Sequence, residues 1–235
     1  MIKKKKMNKA FLTILAALAI QAQSMLPYTP GCDQVVKHGG YTLCYSEKYE
    51  QAKWVAYELT VKNLLCDGKR KNSFRIDTDI VTGSATVVDY YRSGYDRGHL
   101  APAADFKCDM RPTFLMSNIS PQKPMFNRGV WKRLERWARD KAKEDGLVYV
   151  ITGPVLHDSL KTIGINEVAV PEQFYKIVFN DWRVTAFLIP NKWAIGKLDK
   201  FVVSVDSVES VTGIDFFSEL PDSIEKIIEQ SSYYE

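Results

Sequence analysis

From Tyr41 onward, apolar and polar side chains alternate over short spans. Residues 41–46 and 54–61 do so with the period of two that buries one side of a strand, and both are predicted strands. Residues 67–79 break the pattern with Lys69, Arg70, Lys71 and Arg75, a solvated basic connection that could also line a phosphate-bearing ligand. Over residues 126–145, Val130, Leu134, Trp137 and Ala138 recur at helical spacing with no proline between them, which predicts an amphipathic helix. Residues 147–155 form a continuous apolar run ending in Gly153 and Pro154, the pattern of a buried central strand. Two further strands are predicted at 174–179 and 184–189 around an Asn180-Asp181 turn. Short helices follow at 203–212 and 222–230, the second capped by Asp222 after Pro221. The sum is an α+β fold with a central antiparallel sheet flanked by helices, and no linker divides residues 25–235 into smaller units.

Composition leaves this picture in place: of 235 residues, 46% are apolar and 26% charged, enough for a real core and too apolar for a disordered chain. The formal charge of +4 changes meaning once its position is read. Lys3, Lys4, Lys5, Lys6 and Lys9 precede an apolar stretch from Ala10 to Ile20, followed by Gln21, Ala22, Gln23 and Ser24. A basic start and an apolar stretch well short of the ~20 residues that span a bilayer predict a cleavable signal peptide over residues 1–24. Without those five lysines the 32 basic residues fall to 27 against 28 acidic ones. A polyanionic partner must then be held by a local basic cluster, and no stable membrane association is expected. The four cysteines, Cys32, Cys44, Cys66 and Cys108, all follow this leader, as disulfides in an exported chain would. Three pairings are open; Cys32 with Cys44 and Cys66 with Cys108 is favoured, since the first pair brackets the Gly39-Gly40 turn.

The most unusual stretch is YYRSGYDRGHLAPAADF, residues 90–106, in which Asp96, Arg97, Gly98 and His99 stand together. On an extended backbone Arg97 and His99 share a face, a phosphate-binding fork beside a base. A second segment, MSNISPQKPMFNRGVWKRLE, adds Asn118, Gln122, Asn127, Arg128 and Glu135 at and within the predicted helix. The intact DRGH and the SNISPQ…FNRGVWKRLE block together resemble the DNA/RNA non-specific endonuclease family, the sugar-non-specific ββα-metal nucleases. The resemblance spans roughly residues 41–221.

That resemblance implies a site of the ββα-metal-finger type and an enzyme that cuts DNA and RNA with little sequence preference, leaving 5′-phosphate ends. It makes His99 the general base and Asn127 the single protein ligand for Mg²⁺, for which Mn²⁺ or another divalent ion could substitute. Arg97, Asn118, Glu135 and Arg139 match positions that support the phosphate, the metal's water shell or the base. Arg128, Arg70 and Arg75 complete the substrate-binding set, with the upstream basic contact undecided among Arg70, Lys71 and Arg75. The chemistry is coherent: an unperturbed imidazole near ~6.5 is available as a base at neutral pH, and Mg²⁺ tolerates one neutral amide because it keeps most of its waters. On a straight helix Glu135 lies about 80° and ~12 Å from Asn127, which assigns it to the water shell; Arg139, at i+4, is expected to pair with it. His38 and His157 read as structural or solvated, and Trp131 and Trp137 as core. A silent nucleic-acid-binding module and a phosphodiesterase of small nucleotide diesters are the competing functions. The sequence leaves open a homodimer and an inhibitor protein as a partner.

Overall fold

In a computed structural model of the chain, which describes residues 26–180, 183–230 and 234, the alternating segments become strands of one large sheet. In chain order the elements are β1 (Gln34–His38), β2 (Tyr41–Ser46), β3 (Gln51–Thr60), α1 (Val61–Leu65), β4 (Asp96–His99), β5 (Ile119–Gln122), α2 (Lys132–Asp145), β6 (Leu147–Pro154), β7 (Thr162–Ile163), β8 (Val168–Ala169), β9 (Gln173–Phe179), β10 (Val184–Pro190), β11 (Val202–Val203), α3 (Val205–Thr212) and α4 (Asp222–Glu229). Seven strands pair in the order β1-β2-β3-β6-β9-β10-β11, each neighbour antiparallel, with β4-β5 and β7-β8 as separate two-stranded pairs. The predicted central run is β6, flanked by β3 and β9 and apolar on both sides, as a strand covered on two faces must be.

The two larger hydrophobic clusters among the described residues cover the two faces of the sheet. Along β9, Phe174 and Val178 enter the core that holds Phe126, Val130, Trp131, Leu134, Ala138 and Ala142. Tyr175, Ile177 and Phe179 enter the opposite one with Val205, Val208, Phe216 and Leu220. The functional motifs lie on the first face, where α2 packs its Leu134-Ala138-Ala142 stripe. Lys176 shares that face by alternation and is fully buried there.

The helix predicted over residues 126–145 is two pieces. Phe126–Trp131 forms a wide π-type turn interrupted at Gly129 (φ −103°, ψ −106°), and the regular helix begins at Lys132. Asn127 is therefore carried by its own turn, and straight-helix arithmetic from Asn127 to Glu135 fails across the break. Toward the C-terminus α3 starts later than predicted, behind a Ser204 cap that accepts from Ser207 N, and Asp222 is the first residue of its helix with no side-chain cap. Disulfides join Cys32 to Cys44 and Cys66 to Cys108, the favoured pairing. The leader over residues 1–24 and Asp181 of the predicted turn lie outside the described residues. Among the described residues no helix is long and apolar enough to cross a membrane.

Candidate active site

The site is built on the β4-β5 pair, in which Asp96 faces Gln122, Gly98 faces Ser120 and His99 faces Ile119. A glycine is required at 98 by close packing: a Cβ there would lie 2.2 Å from Gln122 Cδ. Gln122 is fully buried, and neither its Nε2 nor its Oε1 has a hydrogen-bond partner among the described residues.

His99 is 7% exposed. Its ring meets Phe114 edge-on at 5.0 Å and Phe74 at 5.4 Å between centroids. The same two rings carry the site's cations, with the Arg97 guanidinium 4.5 Å above Phe74 and that of Arg70 5.3 Å above Phe114. Burial, then the charges of Arg70 and Arg97, push the imidazole pKa down to about 3, so the ring is neutral across the physiological range. Its Nε2 has no hydrogen-bond partner among the described residues. Of the candidates for the basic contact, Arg70 is thus placed beside His99 on the aromatic floor. Arg75 is not brought to the site; its Nη1 donates to Arg111 O at 2.9 Å, and its backbone bridges to Leu115.

Asn118 ends the short turn that leads into β5. It is fully buried, with Nδ2 donating to Ala101 O and Thr113 O and Oδ1 accepting from Ala101 N, each at 2.9 Å. It fixes the turn that follows His99. Its neighbour Ser117 donates to Asp77, and Asp77 also bonds His38 Nε2 at 2.9 Å, tying the basic connection to the strand pair. His38 is thus structural, and His157 is exposed, its Nδ1 2.9 Å from Ser159 Oγ.

Asp96 has a role that sequence reading left unassigned. Its Oδ2 accepts from Asn127 Nδ2 at 3.0 Å and from Arg128 Nε at 2.8 Å, and its Oδ1 accepts from Arg128 Nη2 at 2.7 Å. The carboxylate commits the Asn127 amide nitrogen and leaves Oδ1 as the acceptor, while Arg128 is held by a bidentate pair.

Farther along, Arg139 does not pair with Glu135 as expected. Its Nη1 donates to Asp105 Oδ1 at 2.7 Å, and Tyr57 Oη donates to Asp105 Oδ2 at 2.8 Å. The local i,i+4 rule loses here to a buried carboxylate 34 residues away. Glu135 has its carboxyl pKa raised by burial, with Lys176 opposing and Asp105 reinforcing the shift. Asp105 and Lys176 were both missed. A lone lysine inside the apolar run FYKIVF was the available signal for the second.

The arrangement offers a neutral imidazole beside two arginines on an aromatic floor, an amide whose nitrogen is held by Asp96, and a shielded carboxylate on α2, groups suited to phosphodiester hydrolysis. Comparison with known proteins agrees. The chain matches the DNA/RNA non-specific endonuclease family over residues 23–223. It is 34% identical over 210 residues to the mitochondrial endonuclease G of Homo sapiens, covering 80% of this chain and 70% of that protein. A nuclease of Nostoc sp. is 35% identical over 208 residues, covering 80% and 75%. A crystal structure of the EndoG/EndoGI complex superposes with a TM-score of 0.74 at 32% identity, covering 82% of this chain and 89% of that one. Motifs, α+β architecture and relatives coincide, and the chain belongs to the DNA/RNA non-specific endonuclease family.

Proposed function

We propose that this endonuclease is an exported, magnesium-dependent enzyme in which His99 is the general base and Asn127 is the protein's metal ligand. The observation that carries the reading is the neutral imidazole of His99 set on the same two aromatic rings as Arg97 and Arg70. A buried neutral imidazole beside two cations accepts a proton from a water aimed at phosphorus, and the arginines counter the charge that grows on the phosphoryl oxygens. Both contacts are to the backbone of the substrate, which fits cutting with little sequence preference.

The residues present fit Mg²⁺. Asp96 commits the Asn127 nitrogen, so a single neutral oxygen is offered, and Glu135 supplies a shielded carboxylate for hydrogen bonds from water. When bound, the ion neutralises the scissile phosphate and the departing oxygen. Asn118 keeps the segment after His99 in register, and the Arg139-Asp105 pair anchors α2. Export is supported by the basic-then-apolar leader and by two disulfides, which persist in oxidising compartments. The likeness to EndoG in its complex with EndoGI makes an inhibitor protein a fitting partner beside DNA and RNA.

A magnesium titration of plasmid cutting tests the assignment. Asn127→Ala should cut more slowly and need more magnesium to reach its plateau. A titration that superposes on the wild type would remove Asn127 from the metal site.

A further inference from the structure

Lys176 projects from the middle of β9, a strand flanked on both sides within the sheet. The side chain is fully buried, and its Nζ has no hydrogen-bond partner among the described residues. The ammonium lies 4.9 Å over the ring of Trp131, the last residue of the turn that carries Asn127. A buried ammonium without a hydrogen bond is costly to place in a core, and a methionine or leucine here would pack without that cost. The lysine therefore answers a need other than packing.

Its charged surroundings identify that need. Four ionisable groups share this face: Glu135 and Arg139 on α2, Asp105 in the Ala103–Asp105 turn, and Lys176 itself. Tyr57 on β3 closes the set through its hydroxyl bond to Asp105, and the charge of Arg70 reaches Glu135 more weakly. Asp105 already has two partners in Arg139 and Tyr57. No ion pair of Glu135 is present among the described residues; Trp131, whose ring lies under the Lys176 ammonium, stands one helical turn before Glu135, so β9 brings this charge to the side of α2 that carries the carboxylate.

We propose that Lys176 is a positioning residue for the cleavage reaction, its buried ammonium being the counter-charge that keeps the Glu135 carboxylate ionised and in place at the floor of the site. The inference rests on the reading of Glu135 as a working group of that site. Without Lys176, Glu135 would feel burial and the charge of Asp105 with only Arg139, already committed, and the weaker effect of Arg70 in opposition. It would then take up a proton at a higher pH.

The test is plasmid-cleavage kinetics in magnesium with Lys176→Met, Glu135→Gln and the double variant, each checked by thermal unfolding. Lys176→Met should lower kcat by about tenfold or more while KM changes little. The acid limb of its pH profile should move up by about one unit, a displacement that a packing role would not produce. Glu135→Gln should also lower kcat, and adding Lys176→Met to it should cost nothing further. Lys176→Met with wild-type kcat and an unmoved acid limb would overturn the proposal, as would a double variant showing the product of the two losses. Glu135→Gln cutting at the wild-type rate would overturn it through the reading of Glu135, a distinguishable failure. If Lys176→Met alone does not fold, recovery of the fold in the charge-balanced double variant supports the coupling, and failure of both variants to fold overturns it.

Discussion

Gly98→Ala isolates the steric demand at the centre of the site. Gly98 needs no left-handed backbone, so the substitution is a question of space alone. The new Cβ would meet Gln122 Cδ at 2.2 Å, Oε1 at 2.3 Å and Cγ at 2.4 Å. Gln122 is fully buried and cannot swing into solvent, so β4 must move off β5 by about 1 Å to restore ordinary contact. Overpacking of this kind costs about 1–3 kcal/mol, a fall in Tm of about 2–12 °C for a chain of this size. His99 is the next residue on the displaced strand, and a 1 Å misplacement of a reacting group costs about 100-fold in rate. Thermal unfolding and plasmid cleavage measure the two effects separately. Gln122→Ala in the same chain removes the obstructing atoms and should recover most of the lost Tm. Gly98→Ala with wild-type Tm and wild-type cutting would refute the argument that the DRGH strand is held by this contact.

The remaining predictions concern proton linkage and covalent stability. The pKa of His99 is about 3 in the folded state, against ~6.5 for a free imidazole, so the unfolded chain binds the extra proton as pH falls below ~6.5 and stability drops with it. Between pH 7 and pH 5 the wild type should lose about 2 kcal/mol more stability than His99→Gln; parallel stability curves for the two would contradict the burial of a neutral ring. The Cys66–Cys108 bridge spans 42 residues of sequence and Cys32–Cys44 spans 12. On chain entropy their removal costs about 4 and about 3 kcal/mol. Cys66→Ser/Cys108→Ser should therefore melt at or below Cys32→Ser/Cys44→Ser, and the reverse order, well separated, would show that loop entropy does not govern these bridges.

Much of this architecture was legible because its determinants are local. β2 and β3 announce themselves by alternation and β6 by its continuous apolar run, while β1 and β11, short strands at the two edges of the sheet, were not predicted; the DRGH segment and its SNISPQ partner are contiguous blocks that the fold joins as β4 and β5. What escaped was set by contacts remote in sequence. Arg139 could be matched to Glu135 by helical spacing, but its true partner, Asp105, sits on a separate turn. Periodicity carried the helix through Gly129, where the backbone departs from it, because Val130 and Leu134 keep their apolar character on both sides of the break. In the basic connection no period exists to say which side chain faces inward, so Arg70 and Arg75 were equivalent until the aromatic floor of Phe74 and Phe114 distinguished them. Lys176 looked like one polar residue in a strand, and its observed neighbour, the ring of Trp131, is 45 residues away in sequence.

The central claim is that this constellation cleaves nucleic acid backbones with His99 as the base. Digestion of circular plasmid and of total RNA by the purified chain, with magnesium and then with EDTA, beside His99→Ala, tests it most directly. The account predicts cutting of both polymers in magnesium, none in EDTA, and loss of most cutting in a His99→Ala variant that still folds. Near-normal turnover by that variant, or a folded wild-type chain that cuts neither polymer, would contradict it.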